Sequence, residues 1–406
     1  MRSATFSAFL AAIALLAGAM PARSAAGDWV TAWSSAQQAL GETRLSNATV
    51  RLFARITLPG DQLRVRLDNS FGQAPVTIGH AAAAPRARGA AIAAGLSREL
   101  RFGGKPGVTI PAGGTVTSDP LALPVAAQED LAISLFVPDA EVRPSQHNNA
   151  YVTSYVTENG AGDQTMSEDG RPFTGRITST YWLKSILVHA TTPASAIVAF
   201  GDSITDGTCS TIDAHDRWED VLGLRLALSK PVRLAVLNEG IGGNTVTKGA
   251  NYQPALNSPS GVERLERDVL SHAGVSHVVL FLGTNDLRRE ASAAQVETGI
   301  TDIVRRLHAR RIKVVGVTIL PRHSVVPGIA DTGWDDRKSK VRRAVNDWIR
   351  KRAGFDAVLD FDRLVRTRAD ADLIEPALGC GDGIHPSPFG YFTLAKSVDL
   401  GLFTRK

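Results

Sequence analysis

The chain has 406 residues, 44% of them hydrophobic and 21% charged, which suits a globular protein of two domains with a sizeable core. Its net charge of +5 falls to about +3 without Arg2 and Arg23, too mild and too scattered for a nucleic-acid partner. The basic clusters Arg305-Arg306, Arg310-Arg311 and Arg342-Arg343 sit on helical patterns and read as solvated faces.

The first residues carry a charge at Arg2, an apolar run over 9–20 and small residues through Ala26. That order is a signal peptide over residues 1–26, cut after Ser24, Ala25 or Ala26, and the run is too short to span a membrane. No other apolar stretch reaches membrane length, so the expectation is a secreted or periplasmic protein with no membrane span in the mature chain. Asn47-Ala-Thr49 matches the N-glycosylation pattern, which matters only in a host with that chemistry.

From residue 27 to 190 the pattern is β. Residues 50–58, 62–69, 76–78, 107–110, 115–117 and 131–137 read as short strands separated by Gly and Pro. Leu63, Val65 and Leu67 alternate with Arg64 and Arg66, the period of a half-buried strand. Such spacing suggests a β-sandwich of jelly-roll type. His147-Asn148-Asn149 and the polar run 158–171 read as loops.

Beyond Pro193 the texture becomes α/β and defines a second domain, 191–406. Apolar strand candidates at 196–200, 232–237, 277–282, 312–319 and 357–359 alternate with helical stretches. Val296, Ile300, Ile303, Val304 and Leu307 share one helical face, and Val341, Ala344, Val345, Trp348 and Ile349 share another. Strand–helix alternation implies a parallel sheet of five strands with helices on both faces.

Four segments of this domain hold polar groups that a core does not need. They are Gly201-Asp202-Ser203, the run from Asn238 to Thr245, Gly283-Thr284-Asn285-Asp286, and Gly381-Asp382-Gly383-Ile384-His385. The first three follow strands directly, which places them at the edge of the sheet where ligands bind. Acyl transfer needs a nucleophile, an imidazole and a carboxylate, and Ser203, His385 and Asp382 supply them. Asp382 and His385 are three apart, which in a turn puts both on one side. The backbone N–H groups of Ser203 and Gly243 and the Asn285 amide are the candidate oxyanion donors.

Asp202, Asn244 and Asp286 stand beside these groups as supporting residues. Cys209 and Cys380 flank the same segments and read as one disulfide, or else as two small buried residues. Asp206 reads as a cap for the following helix in preference to a support for the nucleophile loop, and Trp218 reads as core. Asp213, His215 and Asp216 read as a hydrated loop rather than a metal site.

The four segments resemble the four blocks of the SGNH (GDSL-type) hydrolase superfamily of esterases and lipases. Gly-Asp-Ser-Ile-Thr-Asp-Gly207 is similar to the first block, with Ile204 where the name-giving motif has Leu. Gly243 stands at the oxyanion glycine of the second, Asn285 at the oxyanion amide of the third, and Asp382 and His385 in the last. The resemblance implies a three-layer α/β/α, flavodoxin-like fold, and catalysis without a metal or organic cofactor. Trp29, Trp33 and the Leu67-to-Gly72 turn resemble the β-domain that precedes the catalytic domain in some secreted bacterial members.

The expectation is a secreted serine esterase working through an acyl-enzyme on Ser203, its substrate a small-molecule or polysaccharide ester. A carbohydrate O-acetyl esterase and a glycan-binding protein with an inactive hydrolase domain share the same motifs. The intact Ser203, Asp382 and His385 oppose the latter. Pocket walls are expected from the loops 245–263 and 323–334, which leave the acyl chain and the alcohol unread.

Overall fold

The computed structural model describes residues 29–248, 258–351 and 353–404. The expected leader, 1–26, and part of the 245–263 loop lie outside these residues. Among the described residues no helix is long and apolar enough to cross a membrane.

Strands from Trp29 to His189 pair antiparallel. One sheet runs in the order Trp29–Ser34, Leu183–His189, Leu63–Asp68, Thr115–Thr117. A larger one centres on Ala48–Ile56, Glu129–Val137 and His80–Arg88. In Leu63–Asp68 the expected alternation holds: Leu63, Val65 and Leu67 are buried while Arg64 and Arg66 reach outward.

The α/β part begins with Ser195–Gly201, which is buried on both faces and lies inside a parallel sheet of five strands. The order is Leu234–Gly240, Ser195–Gly201, Val275–Phe281, Lys313–Val317, Ala357–Leu359. The helix Ala293–His308 buries Val296, Ile300, Ile303, Val304 and Leu307, and starts from a capping box of Ser292 and Gln295.

The helix Asp336–Lys351 departs from its predicted face. Ala344 is exposed, whereas Arg342 and Asn346 are buried beside Val345 and Ile349. Arg342 is no solvated charge. Its guanidinium bonds the Asp362 carboxylate and the carbonyls of Ile319 and Ala371. Asn346 takes the Ile319 N–H at 2.8 Å and returns an N–H to the Ile319 carbonyl at 2.8 Å. Partners from distant segments made two polar residues the better choice for that face.

The two parts share one hydrophobic cluster, in which Val30, Leu63 and Ile186 belong with Val198, Leu237 and Leu280. Thr57 Oγ1 donates to the Val236 carbonyl at 3.2 Å and accepts its N–H at 3.1 Å, and Thr31 and Ala273 exchange two further bonds. Charge crosses the same boundary. Lys184 of the β-rich part is fully buried, with Nζ 2.9 Å from Glu239 and 2.8 Å from Asp268 of the α/β part.

Candidate active site

The strand Ser195–Gly201 stops where a Cβ on Gly201 would stand 2.1 Å from Thr205 Oγ1 and 3.0 Å from the Phe281 carbonyl. Only glycine admits so close an approach. Asp202 caps the one-turn helix Ser203–Asp206, its Oδ1 accepting the Ile204 N–H at 3.0 Å. Ser203 is thus the first helical residue, at the C-terminal edge of the sheet. Burial drives the Asp202 carboxyl up to about 7, against the Ile204 N–H and with the help of the Asp286 charge.

Ser203 Oγ lies 2.8 Å from His385 Nε2, and His385 Nδ1 lies 2.5 Å from Asp382 Oδ2. A carboxylate only accepts, so the ring proton sits on Nδ1 and the lone pair of Nε2 faces the serine hydroxyl. Asp382 Oδ1 also accepts the N–H groups of Ile384 at 2.9 Å and His385 at 2.8 Å. Partial burial works to raise the Asp382 carboxyl, but the His385 hydrogen bond and charge and these two N–H groups hold it at about 2. It therefore stays ionised wherever His385 can act as a base.

The oxyanion candidates lie along the same sheet edge. Gly243 has φ 74°, in the left-handed region, within the turn that follows Leu234–Gly240. The N–H groups of Ser203 and Gly243 have no acceptor among the described residues. Asn285 is the second residue of the helix Thr284–Arg288 that follows Gly283, and one of its amide protons is given to the Asn244 carbonyl at 3.1 Å.

The supporting residues act on the turn rather than on a ligand. Asn244 Oδ1 accepts from Arg264 Nε at 2.9 Å, and its amide donates to the Pro259 carbonyl at 2.8 Å. Asp286 accepts the N–H groups of Val246 at 2.8 Å and Thr247 at 3.0 Å. Burial lifts Asp286 to about 6 in spite of those two bonds.

Two side chains to which the sequence reading gave no role in the site hold this arrangement. Arg264, 1% exposed and stacked 4.1 Å over Phe200, donates to the carbonyls of Gly201 at 2.8 Å and Glu239 at 2.9 Å as well as to Asn244. It thereby joins the segment before Ser203 to the segment before Gly243. Its sequence signal is faint: an arginine four residues before Asp268, an ordinary helical pair. The other is His147. It was expected in a loop, yet it ends the strand Ser145–His147, is 4% exposed, and puts Nε2 3.0 Å from Asp206 Oδ1.

That contact overturns the reading of Asp206 as a cap and favours its alternative, a support for the nucleophile loop. The residue lies inside the one-turn helix, its carboxylate pairs with His147, and its Oδ2 accepts the Gly242 N–H at 2.9 Å. The expected hydrated loop is also revised. His215 turns its ring inward, where burial lowers its pKa, and Nε2 lies 3.9 Å from Asp130. Asp213 binds Thr153 and Asp216 binds the Thr211 N–H, so the three residues do not converge. Trp218 is fully buried, as expected.

Cys209 and Cys380 form a disulfide that joins the segment after the Ser203 helix to the His385 loop. Cys209 Sγ lies within 4.8 Å of ligand atoms of Asp382 and His385. The Cys380 N–H donates to the His385 carbonyl at 3.0 Å, closing that loop. Reduction, or the Cys209→Ser/Cys380→Ser double variant, should lower Tm, since a bridge over 171 residues constrains the unfolded chain by roughly 2–5 kcal/mol. It should also lower kcat, because the loop that aims His385 loses its tether. Unfolding curves and ester hydrolysis with and without reductant check both.

Residues 199–391 match the model of the GDSL-like lipase/acylhydrolase family. No curated protein matches the chain. Among solved structures it is similar to a member of the lipolytic G-D-S-L family from Veillonella parvula, at 22% identity and TM-score 0.38, over 52% of this chain and 100% of that one. It is also similar to a carbohydrate acetylesterase family member from Sinorhizobium meliloti, at 19% identity and TM-score 0.38, over 50% of this chain and 94% of that one. A GDSL-like lipase from Bacteroides thetaiotaomicron is a third, at 19% identity and TM-score 0.35, over 50% and 89%. The span that matches the GDSL-like lipase/acylhydrolase family lies within the α/β part and holds both its nucleophile turn and its histidine loop.

Proposed function

We propose that the protein is an exported serine esterase that hydrolyses carboxylic esters through an acyl-enzyme on Ser203. The observation that carries this reading is the continuous chain Ser203 Oγ, His385, Asp382, with separations of 2.8 and 2.5 Å. His385 Nε2 takes the hydroxyl proton as Oγ attacks the ester carbonyl. The tetrahedral oxyanion is held by the N–H groups of Ser203 and Gly243 and the second amide proton of Asn285. Collapse expels the alcohol, which receives the proton from His385. Water then attacks the acyl-enzyme, giving its proton to His385, and the acid leaves with Ser203 restored. Export is supported by the charged, apolar and small-residue order of residues 1–26 and by the disulfide.

A p-nitrophenyl alkylphosphonate tests the mechanism. It should inactivate the protein stoichiometrically, add its phosphonyl mass to the peptide containing Ser203, and abolish hydrolysis of p-nitrophenyl esters. Labelling of another residue, or label on Ser203 with full activity retained, would count against the assignment. Rates on the acetate, butyrate and decanoate esters then separate a deacetylase, active on acetate alone, from a broader esterase.

A further inference from the structure

His147 comes from the β-rich part and ends up beneath the catalytic turn. Its Nδ1 lies 2.8 Å from the Ala36 carbonyl and its Nε2 3.0 Å from Asp206 Oδ1. Both partners only accept, so with Asp206 ionised both ring nitrogens carry protons and the ring is an imidazolium. Burial opposes that charge, but the Asp206 carboxylate and the Ala36 carbonyl outweigh burial and raise the pKa, against the repulsion of Arg217.

Asp206 is the hub. It lies three residues after Ser203 in the same helical turn, and its other oxygen accepts the Gly242 N–H at 2.9 Å, one residue before Gly243. One carboxylate therefore spans the two segments whose N–H groups face the oxyanion. Among the described residues no other cation forms an ion pair with its carboxylate. Arg217 is committed to Asp220 at 2.7 Å and Glu219 at 3.1 Å, and it reaches only the Asp206 carbonyl, at 3.5 Å.

Further ionisable neighbours are His215 and Arg55, which line a cavity of about 40 Å³ with His147, and Tyr151 and Tyr391, on which the Asp206 charge acts. That cavity has room for only a few waters, at roughly 10–15 Å³ each. Were the imidazole removed, water would enter and compete for the Asp206 carboxylate, weakening its hold on Gly242.

We propose that His147, as an imidazolium, is a positioning residue: through Asp206 it sets the spacing of the Ser203 and Gly243 N–H groups, so that the β-rich part completes the oxyanion hole of the α/β part. The proposal rests on the ester-hydrolase reading of the same site. Positioning of this kind acts on the tetrahedral state and not on the bound ester, so its loss lowers kcat with KM nearly unchanged.

The test compares His147→Gln, which can still donate one hydrogen bond to Asp206, with His147→Ala, both on p-nitrophenyl acetate beside the wild type. The expected loss in kcat is about tenfold for His147→Gln and about a hundredfold for His147→Ala, each with KM within about twofold, in line with the cost of impairing one oxyanion donor. Thermal unfolding confirms that each variant is folded. Nitrogen-15 spectra of histidine-labelled wild type at pH 7 should show both ring nitrogens of His147 protonated, which needs no variant at all.

A neutral His147 ring, folded variants with wild-type kcat, or a rise in KM at unchanged kcat would overturn the proposal. If the wild type hydrolyses no ester, the hydrolase reading fails and the proposal falls with it. If the wild type is active and both variants match it, only the proposal falls.

Discussion

Ser203→Ala is expected to lower kcat for p-nitrophenyl acetate by roughly 10⁴- to 10⁶-fold while leaving KM and Tm close to wild type. The hydroxyl is the only atom exchanged, and its partner within hydrogen-bond range is the His385 ring, so no buried packing is lost. The residue stays at the first position of its helix, where alanine is well tolerated. The oxyanion donors survive the substitution, which is why a residual rate above that of water should persist. Initial rates and a melting curve check it together. A variant with a tenth of wild-type activity would point to another nucleophile.

Asp382→Asn should cost roughly 10⁴-fold in kcat, for a different reason. An amide facing His385 Nδ1 offers either an acceptor or a donor, and the donor orientation places the ring proton on Nε2, facing Ser203, where no base remains. The substitution also disturbs the two N–H groups, of Ile384 and His385, that the carboxylate now accepts. A second consequence concerns acid. The Asp382 carboxyl ordinarily titrates near 3.8 and is held at about 2 in the folded chain, so its contribution to stability is present above 3.8 and is lost as pH falls through about 2. Asp382→Asn should forfeit that contribution at neutral pH. Rates and acid unfolding curves of the two proteins measure both effects.

Ser203, Gly243 and Asn285 were readable because each stands just after a strand whose apolar run ends abruptly, and the parallel sheet gathers such ends on one edge, while Asp382 and His385 were readable from their spacing of three in a polar loop. What escaped was whatever depended on a partner far along the chain. His80–Arg88, central to its sheet, went unread because its four consecutive alanines show neither alternation nor branched side chains, and the neighbouring strands supply the context instead. Arg342 had the look of a solvated charge since its carboxylate, on Asp362, sits in another segment. His147 passed for a loop residue because the group that explains it is 59 positions away. The strands 76–78, 115–117 and 357–359 kept their expected limits, whereas others moved by one to three residues: the expected 312–319 became Lys313–Val317, since pairing with neighbours and not hydrophobicity sets where a strand stops.

The Lys184 ammonium, wedged between Glu239 and Asp268, also bears on how an ester reaches Ser203. Many two-part enzymes admit substrate by rotating one part away from the other about a hinge. Here any such rotation would pull a fully buried cation from two fully buried carboxylates, which would keep only Arg264, Arg267 and His272 of their own part. The buried ion pairs therefore oppose a hinge between the two parts.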